Sequence, residues 1–144
     1  MSLASRFVAS FALVCWAGPA VADGIEPGLW KITSQIESNG VLRPPQQSAK
    51  CLTPEETRDL ATTFSPLSRT INSECAPIER SLVGTRLTWK LVCKGQLDME
   101  LTGDFNFHDP HHYTATVQTK SAMAGMVTVQ SLHKLEAEWV SECR

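Results

Sequence analysis

The 144-residue chain lacks any uninterrupted apolar run of 18 or more residues, so no ordinary membrane-spanning helix is expected. It lacks an excess of positive charge. Thirteen Lys and Arg stand against 15 Asp and Glu, which argues against a nucleic-acid binder with a basic face. No CxxC pair occurs, and this disfavours both a four-thiolate zinc site and a redox-active dithiol. No GxSxG elbow and no nucleophile–base pair is recognisable, so the chain is not expected to be an enzyme and no cofactor is implied. Repeats, low-complexity tracts and interdomain linkers are missing, and the length suits one domain. What is there is 42% hydrophobic and 19% charged, enough for a packed core.

Residues 1–22 read as a secretory signal peptide. Arg6 supplies the positive start, residues 7–16 (FVASFALVCW) the apolar run, and Gly18-Pro19 the helix break. Ala20-Val21-Ala22 offers the small residues a signal peptidase needs, so cleavage is expected after Ala22 and the exported domain is 23–144. Cys15 falls inside the removed segment, and Val14 before it is a poor residue for lipidation. Export points to the periplasm. Four cysteines remain, Cys51, Cys75, Cys93 and Cys143, an even number that suggests two disulfides.

Most of the remaining chain carries strand signals. Residues 30–37 alternate and end at Asn39-Gly40, a turn pair; Pro44-Pro45 interrupts pairing, and 46–52 reads as a second strand. Thr53 then caps the one expected helix, with Pro54 at its first position and Glu56 completing a capping box. Leu60, Ala61 and Phe64 give it an apolar face, and Pro66 stops it. Residues 75–82 and 86–94 flank a hairpin turn at Gly84. Leu97, Met99, Leu101, Phe105 and Phe107 alternate with Asp98, Glu100, Thr102, Asp104 and Asn106, a strand with one apolar and one wet face. Gly103 on the apolar side suggests a bend or bulge. Residues 112–120 and 126–140 supply two more strands. The fold class is therefore mainly all-β: an antiparallel meander of about seven strands, curled or barrel-like, with the helix covering an opening or edge.

Strand direction alternates in a meander, which constrains the bridges. Cys75 opens one strand and Cys93 closes the next, at one end of the sheet; three further strands carry Cys143 to the other end. Joining Cys143 to either would span a strand length, about 20 Å, whereas bridged Cα atoms lie within about 7 Å. The expected pairs are Cys75–Cys93 and Cys51–Cys143. A three-residue turn aligns Cys75 with Cys93 but sets Ile78 against Lys90; a two-residue Gly84-Thr85 turn sets Ile78 against Leu91 and shifts the cysteines. A bulge would satisfy both.

The landmarks GLWKIT (28–33), CLTPEE (51–56), Cys75, Trp89, CKG (93–95) and a final Cys143 together resemble the bacterial family called domain of unknown function 3617, small exported proteins found mostly in Gram-negative bacteria. The ending WVSEC (139–143) departs from the family's Gly-rich ending. The resemblance implies a periplasmic β-rich domain and carries no assigned activity or catalytic residue.

Two sets of residues are candidates for function. A concave apolar face built by Trp30, Leu87, Trp89, Leu91, Leu101 and Phe105 could hold an apolar small molecule, with Trp30, Trp89, Leu101 and Phe105 as its contacts. Alternatively His108, His111 and His112, beside Asp109, could bind zinc or copper, although adjacent histidines in a strand point to opposite faces. Met123 and Met126 are a thinner candidate for cuprous copper. The expectation is a periplasmic, non-enzymatic binding or interaction module that holds an apolar ligand or meets an envelope protein, with metal binding as the alternative.

Overall fold

The computed structural model describes residues 24–66, 73–123, 126 and 128–144; the expected leader and its cleavage junction lie outside the described residues. The elements run β1 (Gly28–Ser38), β2 (Val41–Leu42), β3 (Gln46–Leu52), α1 (Pro54–Arg58), α2 (Leu60–Thr63), β4 (Ser73–Cys75), β5 (Glu79–Val83), β6 (Arg86–Gly95), β7 (Leu97–Asp109), β8 (His112–Met123) and β9 (Val129–Ser141). Asn39 and Gly40 both take positive φ, as the β1–β2 turn requires.

One antiparallel sheet has the order β2-β1-β9-β8-β7-β6-β4, with β3 also on β1 and β5 also on β6. β2 and β3 share the column outside β1, and β4 and β5 the column outside β6, so nine strands fill seven columns. Prolines cut both edge columns in two, since a proline has no N–H for the ladder. Pro44-Pro45 separates β2 from β3, and Pro77 separates β4 from β5. From β4 to β9 the chain is the expected meander, but the whole is not one. β1 to β3 form one edge, the chain crosses to the other, and β9 returns to pair with β1 from Leu29 to Ser38. The sheet stays open rather than closing into a barrel.

Both expected disulfides are present, and so are both hairpin registers. Cys75 lies directly opposite Cys93, while Val83 lies opposite Arg86 across the two-residue turn. Ala76, Pro77 and Ile78 stand against only Leu91 and Val92, and this one-residue surplus absorbs the conflict. Cys51–Cys143, with Cα atoms 5.9 Å apart, ties β3 to the tail of β9, the strands flanking β1.

The single helix expected after Thr53 is two short ones. The capping box forms as read: the Glu56 amide donates to Thr53 Oγ1 at 3.2 Å, and the Thr53 amide to Glu56 Oε2 at 2.8 Å. Asp59 then restarts the chain, its carboxylate accepting from the Thr62 amide at 3.0 Å and capping α2. The pair crosses the apolar face rather than an edge or opening. Phe64, just after α2, sets its ring 5.2–5.4 Å from those of Phe105, Phe107 and Tyr113.

Three indole N–H groups fasten irregular chain to the sheet. Trp89 donates to the Phe64 carbonyl at 2.8 Å, Trp30 to Glu26 at 3.0 Å and Trp139 to Pro27 at 3.1 Å. Gly103 is not a bend, since the β6–β7 and β7–β8 registers run through it unshifted. It lies opposite Trp89, and a Cβ there would come within 2.2 Å of the indole. The glycine is the slot that lets Trp89 lie flat.

Candidate functional site

Alternation gives the sheet two faces. On one, Trp30, Leu87, Trp89, Phe105, Phe107, Tyr113, Ala115 and Ala137 join Leu52 and Leu60 in the core. Trp30 has no exposure, and Trp89 and Phe105 are buried. Leu87 and Leu91 are buried as well, and Leu101 packs half-buried against the cluster. The residues expected to hold an apolar ligand are thus packed against each other and under the chain's own α1–α2 segment.

The clefts open on the other face. One, about 640 Å³, is lined by residues of four strands. Its floor is two neighbouring rungs of the ladder. One rung reads Ser81, Thr88, Asp104, Thr116 from β5 to β8, and the next Glu79, Lys90, Thr102, Gln118. Four strands set about 4.8 Å apart make this floor about 14 Å wide. A second cleft of about 350 Å³ shares Thr116 and continues over β8 and β9 to Thr33 and Gln35 of β1. A third, of about 340 Å³, shares Gln118 and reaches Gln130 and Glu37.

The floor is mostly uncharged hydroxyl and amide. Two of its charged side chains are paired: Asp104 accepts from Arg86 Nε at 2.9 Å, and Lys90 lies 3.3 Å from Glu100; Glu79, on the β5 side, is in no ion pair among the described residues. The Arg86 guanidinium holds the Asp104 carboxyl below the usual carboxylate range, so the pair stays ionised at neutral pH. Trp89 borders the cleft from between Thr88 and Lys90, but its indole turns to the other face, where it meets Gly103 and the Phe64 carbonyl, so among the described residues the two rungs present no aromatic side chain. None of these residues stood out in the sequence. Thr102 and Asp104 read only as the solvated side of an alternating strand, and their neighbours emerge once strand pairing puts Thr88 and Thr116 beside them.

The histidines do not assemble into a metal site. His111 turns to the apolar side, its ring 5.0 Å from that of Trp139. His108 and His112 stack on the wet side with centroids 4.9 Å apart. Their Nε2 atoms are engaged, His108 with Thr114 Oγ1 at 2.7 Å and His112 with Glu136 Oε1 at 3.3 Å. Among the described residues no group of three or more His, Cys, Asp and Glu is arranged to hold a metal ion. The divergence arises because His111 lies in the turn between β7 and β8, whereas His108 and His112 sit in the paired strands on one face, so strand alternation is not what separates them. Met123 and Met126 are both exposed, and the Met126 amide donates to the Met123 carbonyl at 2.7 Å.

An open one-sheet antiparallel domain, stapled twice and strapped by helix on its apolar face, is the class these features define. Residues 25–143 match the family described as Protein of unknown function (DUF3617), and the chain belongs to it. No curated protein and no solved structure matches the chain. Among the described residues no helix is long and apolar enough to cross a membrane.

Proposed function

We propose that the chain is a non-enzymatic binding module of the periplasm that holds a neutral, hydroxyl-bearing chain molecule, such as a short glycan, across the wet face of its sheet. The observation that carries this is the floor of the 640 Å³ cleft, where Ser81, Thr88, Thr102, Thr116 and Gln118 form an array of neutral donors and acceptors. Two of its charged groups, Asp104 and Lys90, are held in ion pairs, so most of the floor is left to neutral donors and acceptors. Without an aromatic platform, recognition rests on hydrogen bonds, and the affinity is weak. The two disulfides support the export part of the reading, since such bonds persist in oxidising compartments. An apolar ligand is less well supported, because the core side chains already fill the apolar face.

The test is an NMR titration of the oxidised protein with maltohexaose and, separately, with palmitate. Shifts confined to residues 79–81, 88–90, 102–104 and 116–118 with the sugar, lost in Thr116→Val/Gln118→Ala, support the reading. Shifts with palmitate alone, centred on Trp89 and Phe105, would return the function to the apolar face.

A further inference from the structure

The β5 rim of the cleft is also an edge. β5 pairs with β6 on one side, and no strand among the described residues pairs with its other side. In an antiparallel ladder, successive residues turn their N–H and C=O to alternate sides. Val83 closes a two-residue turn on Arg86 as the hydrogen-bonded pair. Glu79, Ser81 and Val83 therefore face β6, while Arg80 and Leu82 offer their backbone groups outward. Edges are usually blunted by proline, a bulge or charge. Here proline and bulge lie upstream at 76–78 and the charges, Glu79 and Arg80, hold the first two positions, Arg80 reaching Thr62 Oγ1 at 3.4 Å, while Leu82 and Val83 at the other end are 44% and 74% exposed.

We propose that β5 is a self-association edge, pairing antiparallel with β5 of a second copy about a two-fold axis through Ser81. In that register Arg80 faces the second copy's Leu82, Glu79 faces its Val83, and Ser81 meets its own equivalent. All five residues pair, the outward groups of Arg80 and Leu82 are used in both copies, and no like charges face each other. A two-fold at Arg80 would set guanidinium against guanidinium, and one at Leu82 would set Arg80 against Gly84 in the turn. The opposite edge column offers less: β3 exposes Gln46, Gln47, Ser48, Ala49, Lys50 and Cys51 with no large apolar side chain, and β2, where Val41 and Leu42 are 68% and 59% exposed, is only 2 residues long. Five paired residues make a small interface, which forms reversibly rather than permanently. The pairing is independent of what the cleft holds.

Sedimentation velocity of the oxidised chain from roughly 5 μM to 1 mM tests this. The expected result is a monomer that becomes a dimer across the range. Leu82→Arg, which sets Arg against the second copy's Arg80 twice, moves the midpoint up about tenfold or more. Adding Arg80→Asp restores it, with the circular dichroism spectrum unchanged throughout. A wild type that stays monomeric, or a dimer indifferent to Leu82→Arg, overturns the proposal. Failure of Arg80→Asp to rescue overturns the Ser81 register.

Discussion

Thr88, Trp89 and Lys90 are consecutive in β6 and live in different surroundings. Trp89 is buried under α2 with its indole N–H bound to the Phe64 carbonyl, while Thr88 and Lys90 line an open cleft. The same contrast runs across every central strand. Burying a large apolar side chain stabilises by about 1.5–3 kcal/mol, whereas exposed Thr and Gln need nothing but water. Among the described residues the helical segment α1–α2 therefore lies on the apolar face, and the polar face is left uncovered. The difference teaches where to look for function: on the face that folding did not consume.

The sharpest break in this contrast is Gly103→Ala. The new methyl enters the space of the Trp89 ring, so the indole must leave its slot and give up its bond to Phe64. Overpacking of this kind costs about 3 kcal/mol. Urea denaturation should show that loss, and Trp89→Leu in the Gly103→Ala background should recover part of it. A cost under about 0.5 kcal/mol, the range of ordinary surface changes, would mean the apolar face is loosely filled and has room for a ligand.

Gly103 also shows where sequence reading reaches its limit. A glycine inside an alternating strand announces a bulge or a large neighbour, and only the register, which puts Trp89 opposite, decides between them. The cysteine pairs were legible because hairpin direction alone separates Cys143 from Cys75 and Cys93. The docking of β9 on β1 was not, because Trp30 and Trp139 are opposite each other but more than a hundred positions apart. The helix cap was readable from Thr53, Pro54 and Glu56, yet Asp59, which splits the helix, looks like any polar residue on an exposed turn. The wet cleft was hidden for a related reason. Thr102 is ordinary in isolation and becomes part of a floor only beside Lys90 and Gln118, and that adjacency is a property of the sheet.

A smaller effect comes from Tyr113, on the buried side. Burial pushes its phenol up to about 12, from an ordinary value near 10. Between these values the unfolded chain has released the proton and the folded chain still holds it. Stability is therefore intact below about pH 10 and declines as pH rises through about 12, by about 2–3 kcal/mol in all. Denaturation midpoints from pH 9 to 12, compared with Tyr113→Phe, isolate this contribution. The difference between the two proteins should open above pH 10. A parallel decline in both would show that water reaches the ring and that the strapped face is less sealed than its neighbours suggest.

The smallest effect on stability belongs to the wet face, and it is the most informative about function. Thr102→Val and Thr116→Val keep shape and β-propensity while removing the hydroxyls from the cleft floor. Both residues lie where water already satisfies them, so each should change stability by less than about 0.5 kcal/mol and the melting temperature by no more than about 2 °C. Maltohexaose binding, by contrast, should fall with each hydroxyl removed, because no ring or charge on the floor can compensate. If the valines stabilise the fold and leave binding intact, the hydroxyls are only a solvated surface. If they leave the fold alone and abolish binding, the two faces are shown to divide the work between stability and recognition.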